Sequence, residues 1–219
     1  MTADLSSRLL HMLPLLLSGA WTALQIAVGA LMIALVGGLL LGTAATFVRV
    51  RLLKWLMAAA IEWLRNVPAL AHVFILYFGL PALGIKLDAL TAAIVGLGMI
   101  GSAVLADVFR GGFRSLHMGQ SEAARAIGMT PYQNWRYIML PQVLRNTLGA
   151  VGNYAAQLVK DTSIASAIAA PEIMFFARNL VTSTFDTTLI YLVVIGIYVA
   201  MILPIGGLFL RLEQQMRRA

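Results

Sequence analysis

A chain of 219 residues with 60% hydrophobic and only 11% charged residues carries too little polar surface to cover a water-soluble globule. It has no cysteine, which excludes disulfides, thiolate metal sites and cysteine nucleophiles, and its scattered histidines, His11, His72 and His117, offer no metal-ligand spacing. A net charge of +7 is compatible with nucleic-acid binding, but in a chain this apolar the placement of basic residues reports membrane topology first, and no nucleic-acid partner is expected.

Leu9 to Val48 contains no Asp, Glu, Lys or Arg, nor does Thr187 to Leu210, and both exceed the ~20 apolar residues needed to cross a hydrocarbon core. Met1 to Ala20 makes a poor secretory signal, because no basic region precedes its apolar run and Asp4 is acidic. It is expected to be a retained interfacial segment leading into a first span, 21–47, with Trp21 at the interface. A second span covers 55–83, carries Glu62 and Arg65, and is predicted to kink at Pro68. The third covers 89–108. The uncharged stretch 146–159, between Arg145 and Lys160, is too short to cross, so a fourth span, 146–169, must carry Lys160 and Asp161 into the membrane. The fifth covers 187–210. The expectation is an all-α integral membrane protein with one transmembrane domain, 1–219.

Basic residues orient these spans. Arg49, Arg51 and Lys54 follow the first span, Arg110, Arg114, Arg125, Arg136 and Arg145 the third, and Arg211, Arg217 and Arg218 the fifth. The other side receives Arg8, Lys86 and Arg178. The positive-inside bias therefore predicts an external N-terminus and a cytoplasmic C-terminus.

The segment 110–141 falls on the cytoplasmic side and has the marks of structure. Ser121 is placed to cap a helix through Glu122 to Ile127, with Glu122 near its N-terminus. Gly128 suits the left-handed residue after a helix end. Thr130-Pro131-Tyr132-Gln133 reads as a capping box with proline in the first turn, and Pro141 is expected to break the pattern before the fourth span.

Within this segment, Glu122-Ala123-Ala124, then Gly128, then Ile138-x-Leu140-Pro141 resembles, at every fixed position, the EAA loop of permeases in binding-protein-dependent ABC importers. Arg110-Gly111-Gly112-Phe113, Gly119-Gln120, Leu140-Pro141-Gln142 and Lys160-Asp161-Thr162-Ser163 are similar to the polar amino acid branch of that family. So are Arg65-Asn66-Val67-Pro68 and Tyr77-Phe78-Gly79-Leu80-Pro81. The resemblance covers nearly the whole chain. It implies a type I permease fold, five transmembrane helices with a cytoplasmic coupling helix, in which Glu122, Ala123, Ala124, Gly128, Leu140 and Pro141 serve ATPase coupling. It also implies an ATPase dimer, a second permease subunit (identical or paralogous), and a periplasmic or extracytoplasmic solute-binding protein. Two positions depart from the branch: it usually reads Arg-Gly-Thr-Pro at Arg65-Asn66-Val67-Pro68 and glutamine at His72.

None of Lys54, Lys86 and Lys160 lies in a glycine-rich phosphate loop, so no cofactor is expected in this chain, and ATP with its magnesium belongs to the partner ATPase. Charges within the bilayer need a partner or a watery cavity. Glu62 and Arg65, three apart, share a helical face and can pair internally. Asp161, Thr162 and Ser163 are good caps, and a helix break there is compatible with a transporter site. A polar amino acid brings a carboxylate and an ammonium, which Lys160 or Arg65 and Asp161 or Glu62 would meet, with Ser163 and His72 as further candidates for the pathway. Rival functions are import of an amino-acid derivative such as an opine, a passive channel, which would not need the coupling loop, and a membrane enzyme, for which no nucleophile or metal constellation is found.

Overall fold

The computed structural model describes residues 5–218, and its regular structure there is entirely helical. Helix α1 (Leu5–Phe47) leads through a short link to α2 (Arg51–Asn66). Pro68 then opens α3 (Ala69–Phe74), which widens into a π turn at Ile75–Gly79 and then tightens into a 3-10 turn at Leu80–Leu83. Asp88 caps α4 (Ala89–Arg114), accepting from Thr91 N at 2.9 Å and Thr91 Oγ1 at 2.8 Å. The backbone N–H of Thr91, then its hydroxyl, hold the Asp88 carboxyl below its ordinary pKa. That cap is therefore in force at neutral pH and fades as pH falls through the lowered value. Two short helices follow, α5 (Met118–Ala126) and α6 (Pro131–Gln133). A π turn at Asn134–Met139 enters α7 (Leu140–Asp161), which ends in a 3-10 turn at Thr162–Ile168. Helices α8 (Ile173–Thr184) and α9 (Thr187–Arg218) complete the chain.

Helices α1, α4 and α9 are long and apolar enough to cross a membrane, over Arg8–Phe47, Ala89–Arg114 and Thr187–Met216. The number rises to as many as five if each of two interrupted pairs forms one crossing: Arg51–Asn66 with Ala69–Leu83, and Pro131–Ile168 with Ile173–Thr184. The interruption predicted at Pro68 is a full break: α2 ends at Asn66, and the restricted backbone before a proline explains why.

The chain divides into two compact units. One comprises Met1–Met32, Val67–Gly98 and Ala155–Ile205. Its core packs Met12, Leu16 and Ala23 of α1 with Ile173 and Ala177 of α8 and Ile190 and Val194 of α9. Arg8 and Asp186 pair at 3.0 Å. The segment ending at Ala20 was expected to lead into the first span, and it is continuous with it. From Leu5 onward it is the first part of α1, with Met12 and Leu16 buried, because its apolar residues find a core to enter.

The other unit comprises Ile33–Asn66, Met99–Tyr154 and Gly206–Ala219. Leu105, Phe109 and Phe113 of α4 pack there with Ala34 of α1 and Val143 and Val151 of α7. Lipid gives no hydrophobic reward for burying one apolar helix against another, so close approach matters more. Gly38 and Gly42 of α1 supply it as a small-xxx-small pair. A Cβ at Gly38 would lie 2.6 Å from Leu105 Cβ, and one at Gly42 would lie 2.7 Å from the Ala106 carbonyl oxygen.

Gly42→Val is expected to cost about 1–3 kcal/mol through overpacking against α4 backbone, seen as a lower thermal midpoint of the purified protein. Gly111→Ala, where an added Cβ meets nothing within 4 Å, should leave the midpoint unchanged or raised.

Candidate functional site

The loop with the expected coupling role begins where α4 ends, and its first helix starts earlier than the sequence suggests. Helix α5 opens at Met118 behind an extended His117, and Gln120 N–H donates to the His117 carbonyl. Ser121 is therefore inside the helix and does not cap it, and Glu122 stands beyond the first turn. Glu122 and Ala123 are exposed while Ala124 is buried. After Ala126 the chain turns at Gly128, whose φ of 84° is the predicted left-handed conformation, and Met129 N–H returns to the Ala124 carbonyl at 3.0 Å. The predicted capping box is formed: Thr130 Oγ1 accepts from Gln133 N, and Gln133 Oε1 accepts from Thr130 N.

Pro141 does not break the helix. The π turn at Asn134–Met139 lets Leu140 N–H reach the Trp135 carbonyl, five residues back, and this wider turn accommodates a residue that lacks its own N–H. Gln142 Nε2 then ties α7 to α5 by donating to Gln120 Oε1 at 2.9 Å. Around the loop, Met118, Ile127, Tyr132 and Tyr137 expose 65% or more of their surface, an apolar set on a charged segment that suits a protein partner.

Lys160, Asp161, Ser163 and His72 all lie in the unit built from 1–32, 67–98 and 155–205. Helix α7 ends at Asp161, the break the sequence suggested, but the carboxylate makes no capping bond. Gln157 Nε2 donates to its Oδ1 at 2.9 Å instead. The hydroxyls of Thr162, Ser163 and Ser166 return to carbonyls three residues back, which stabilises the 3-10 turn. Lys160 is exposed and has no carboxylate partner among the described residues. His72 is 5% exposed on α3, which packs against the Thr162–Ile168 turn, and its Nδ1 is 3.3 Å from the Pro68 carbonyl.

Glu62 and Arg65 lie in the other unit. The internal pair foreseen for them is present but long, 3.8 Å, and Arg65 is held more closely by Asp107. Asp107 also forms an ion pair with Arg110 at 2.6 Å, and Glu62 accepts from Asn66 at 2.8 Å. The result is a charge network joining α2 to α4, in which the Arg65 guanidinium is already engaged. The reach of Asp107 to Arg65 is a tertiary contact that spacing alone does not encode.

Glu172 escaped the sequence reading. It is fully buried, and its carboxylate caps α8 by accepting from Met174 N at 2.9 Å and Phe175 N at 2.8 Å. Tyr198 OH adds a bond at 3.3 Å. Gly19 of α1 approaches so closely that a Cβ there would lie 2.8 Å from Glu172 backbone. Arg178 donates to the Ser166 carbonyl at 2.7 Å, so α8 is fastened to the turn that follows Asp161. A carboxylate just before an apolar helical run was the available signal. Glu172→Ala should cost roughly 1–3 kcal/mol in denaturation of the purified protein, with Glu172→Gln milder because its carbonyl still accepts one bond.

Residues 34–218 match the family model described as the binding-protein-dependent transport system inner membrane component. The chain is 36% identical over 177 residues, 80% of its length and 82% of the relative's, to the probable glutamine ABC transporter permease protein GlnM of Bacillus subtilis (strain 168). It is 32% identical over 210 residues, 94% of both chains, to the glutamine transport system permease protein GlnP of Escherichia coli (strain K12). Among solved structures, an amino acid ABC transporter crystallised with histidines superposes with a TM-score of 0.87 at 29% identity, covering 98% of this chain and 100% of that one. The inward-facing MetNI methionine ABC transporter, at 22% identity and a TM-score of 0.81 over 94% and 97% of the two chains, shares the fold.

Proposed function

This chain belongs to the family of binding-protein-dependent transport system inner membrane components, and we propose that it is the membrane-spanning subunit of an ATP-driven importer of a polar amino acid. One observation supports the substrate class: relatives matched over 80% and 94% of the chain are named a probable glutamine ABC transporter permease and a glutamine transport system permease. Membership places the protein in the inner membrane as a transporter subunit whose ATP hydrolysis is performed by a separate partner and whose solute is delivered by a binding protein.

The finer assembly is our reading. Residues 1–219 act as one permease domain of five crossings with the N-terminus outside, paired with a second permease subunit on an ATPase dimer. The basic residues after the first, third and fifth predicted spans support that orientation. ATP closes the motor, the coupling helices move with it, and the pathway turns outward to receive solute; hydrolysis returns it inward. Glu122, Ala123, Ala124, Gly128, Leu140 and Pro141 form the coupling element, supported by the exposed Glu122 and Ala123 and by the left-handed turn at Gly128.

For the solute, Asp161 is the candidate partner of the ammonium and Lys160 of the carboxylate, with Ser163 and His72 beside them in the same unit. The single side-chain bond to Asp161, from Gln157, leaves its other oxygen for a ligand, and Lys160 has no carboxylate to release first. Glu62 and Arg65 rank behind them, because Arg65 must first leave Asp107.

Reconstituted with its ATPase and binding protein, the wild-type complex should take up a polar amino acid only while ATP is hydrolysed; equal uptake without ATP would mark a passive channel instead. Asp161→Asn should weaken apparent affinity roughly a hundredfold, about 2–3 kcal/mol, with basal hydrolysis largely retained. Near-native uptake at every solute concentration would remove Asp161 from the site.

Gly128→Val places a β-branched residue at a φ of 84°. It should uncouple hydrolysis from transport, or detach the ATPase, while insertion into the membrane persists. Full coupled activity in the purified complex would show that this turn is not the motor socket.

A further inference from the structure

Helix α2 begins at Arg51, just after α1 ends at Phe47, and from Leu9 to Val48 the chain carries no Asp, Glu, Lys or Arg. The link from Val48 to Val50 reaches ~10 Å at most, so α2 starts at the boundary where the first span leaves the hydrocarbon. Its side chains are sorted by face. At ~100° per residue, Arg51, Lys54, Glu62, Arg65 and Asn66 fall within about a third of the circumference, and Leu52, Leu53, Leu56 and Ala60 fall on the other side.

Little of this helix is used for packing. Ile61 is its one buried residue, set against Ala103 and Ala106 of α4. None of Arg51 to Ala60 is buried, and Leu52, Leu53 and Leu56 expose 44–67% of their surface. A helix that crossed the bilayer alongside α4 would bury an apolar residue every three or four positions along its length. It would also carry Arg65 ~20 Å from the level of Arg51, to the middle of the hydrocarbon, together with Glu62, whose side chain is 60% exposed.

We propose that α2 is an in-plane helix rather than half of a crossing. It lies on the anionic surface of the cytoplasmic leaflet, with its leucine face in the acyl boundary and its charged face in water. The cytoplasmic side follows from the orientation proposed above. Charge selects the surface: Arg49, Arg51 and Lys54 are exposed at one end of the helix and form no ion pair among the described residues, which suits negative headgroups. Trp55, 67% exposed, stands at the edge between the two faces, the usual level of an interfacial indole. The second crossing then begins at Pro68, and Glu62 and Arg65 sit at the headgroup level, outside the solute pathway.

The chain has no cysteine, so single nitroxide labels can be placed on the assembled transporter in phosphatidylglycerol nanodiscs. Labels at Leu53 and Ala60 should meet dissolved oxygen, escape a water-soluble nickel complex, and report equal depths of about 5–10 Å. Labels at Lys54 and Ala58 should meet the nickel complex. A depth at Ala60 about 10 Å greater than at Leu53, with Ala58 also hidden from nickel, would mean a crossing and overturn the proposal. Labels at Leu53 and Ala60 sheltered from both reagents would mean cover by a second subunit, and would overturn it equally. In phosphatidylcholine, the mobile fraction of the Leu53 label should rise severalfold, as it should in phosphatidylglycerol for the combined Arg49→Gln, Arg51→Gln and Lys54→Gln variant. The lipid comparison serves alone if that variant fails to assemble, and equal mobility in the two lipids would overturn the anionic surface as the partner. Nanodiscs expose both faces, so these readings stand apart from orientation, which labelling of Lys54→Cys by an impermeant thiol reagent in sealed vesicles reads separately.

Discussion

In lipid every backbone N–H and carbonyl must find its partner inside the protein, and the irregular parts of this chain are arranged around that demand. The break after α7 is the clearest case. Thr162, Ser163 and Ser166 return their hydroxyls to the backbone, Arg178 takes the Ser166 carbonyl, and the Glu172 carboxylate receives the first N–H groups of α8. Side chains thus do locally what a continuous helix would otherwise do. The candidate solute residues Lys160 and Asp161 stand at the start of this section, where backbone can leave the helix without orphaned groups.

Charge obeys a parallel economy. Arg65, Asp107, Arg110 and Glu62 neutralise one another between α2 and α4, and Arg8 is matched by Asp186. Against this background an uncommitted pair is conspicuous. Asp161 is bonded by a neutral amide alone and Lys160 by no carboxylate among the described residues. A zwitterion has one group for each.

What the sequence made legible was local. The capping box at Thr130–Gln133, the left-handed Gly128, the helix break at Pro68 and the end of α7 near Asp161 all follow from interactions a few residues long. The misplacements have equally physical sources. Ser121 is a good cap, but nothing in its own chemistry says that the helix has already begun at Met118. Pro141 reads as a breaker unless the preceding turn is known to widen. Length and hydropathy propose a membrane span but not where its helix begins, and α1 runs back to Leu5 against α8 and α9. Glu172 and the Arg65–Asp107 pair depend on partners far along the chain, which one sequence cannot align.

Two glycines in this fold are fixed by unrelated forces. Gly42 has ordinary helical geometry and no room for a side chain; Gly128 has open space around it and a backbone that disfavours one. Asparagine tolerates the left-handed region, so a lineage that drifted from glycine to asparagine at position 128 would keep its turn. The same codon change at position 42 would drive an amide into the backbone of α4. The record of substitutions that natural relatives can accumulate is therefore expected to differ in kind at the two sites, permitting a change of identity at one and only absence of a side chain at the other.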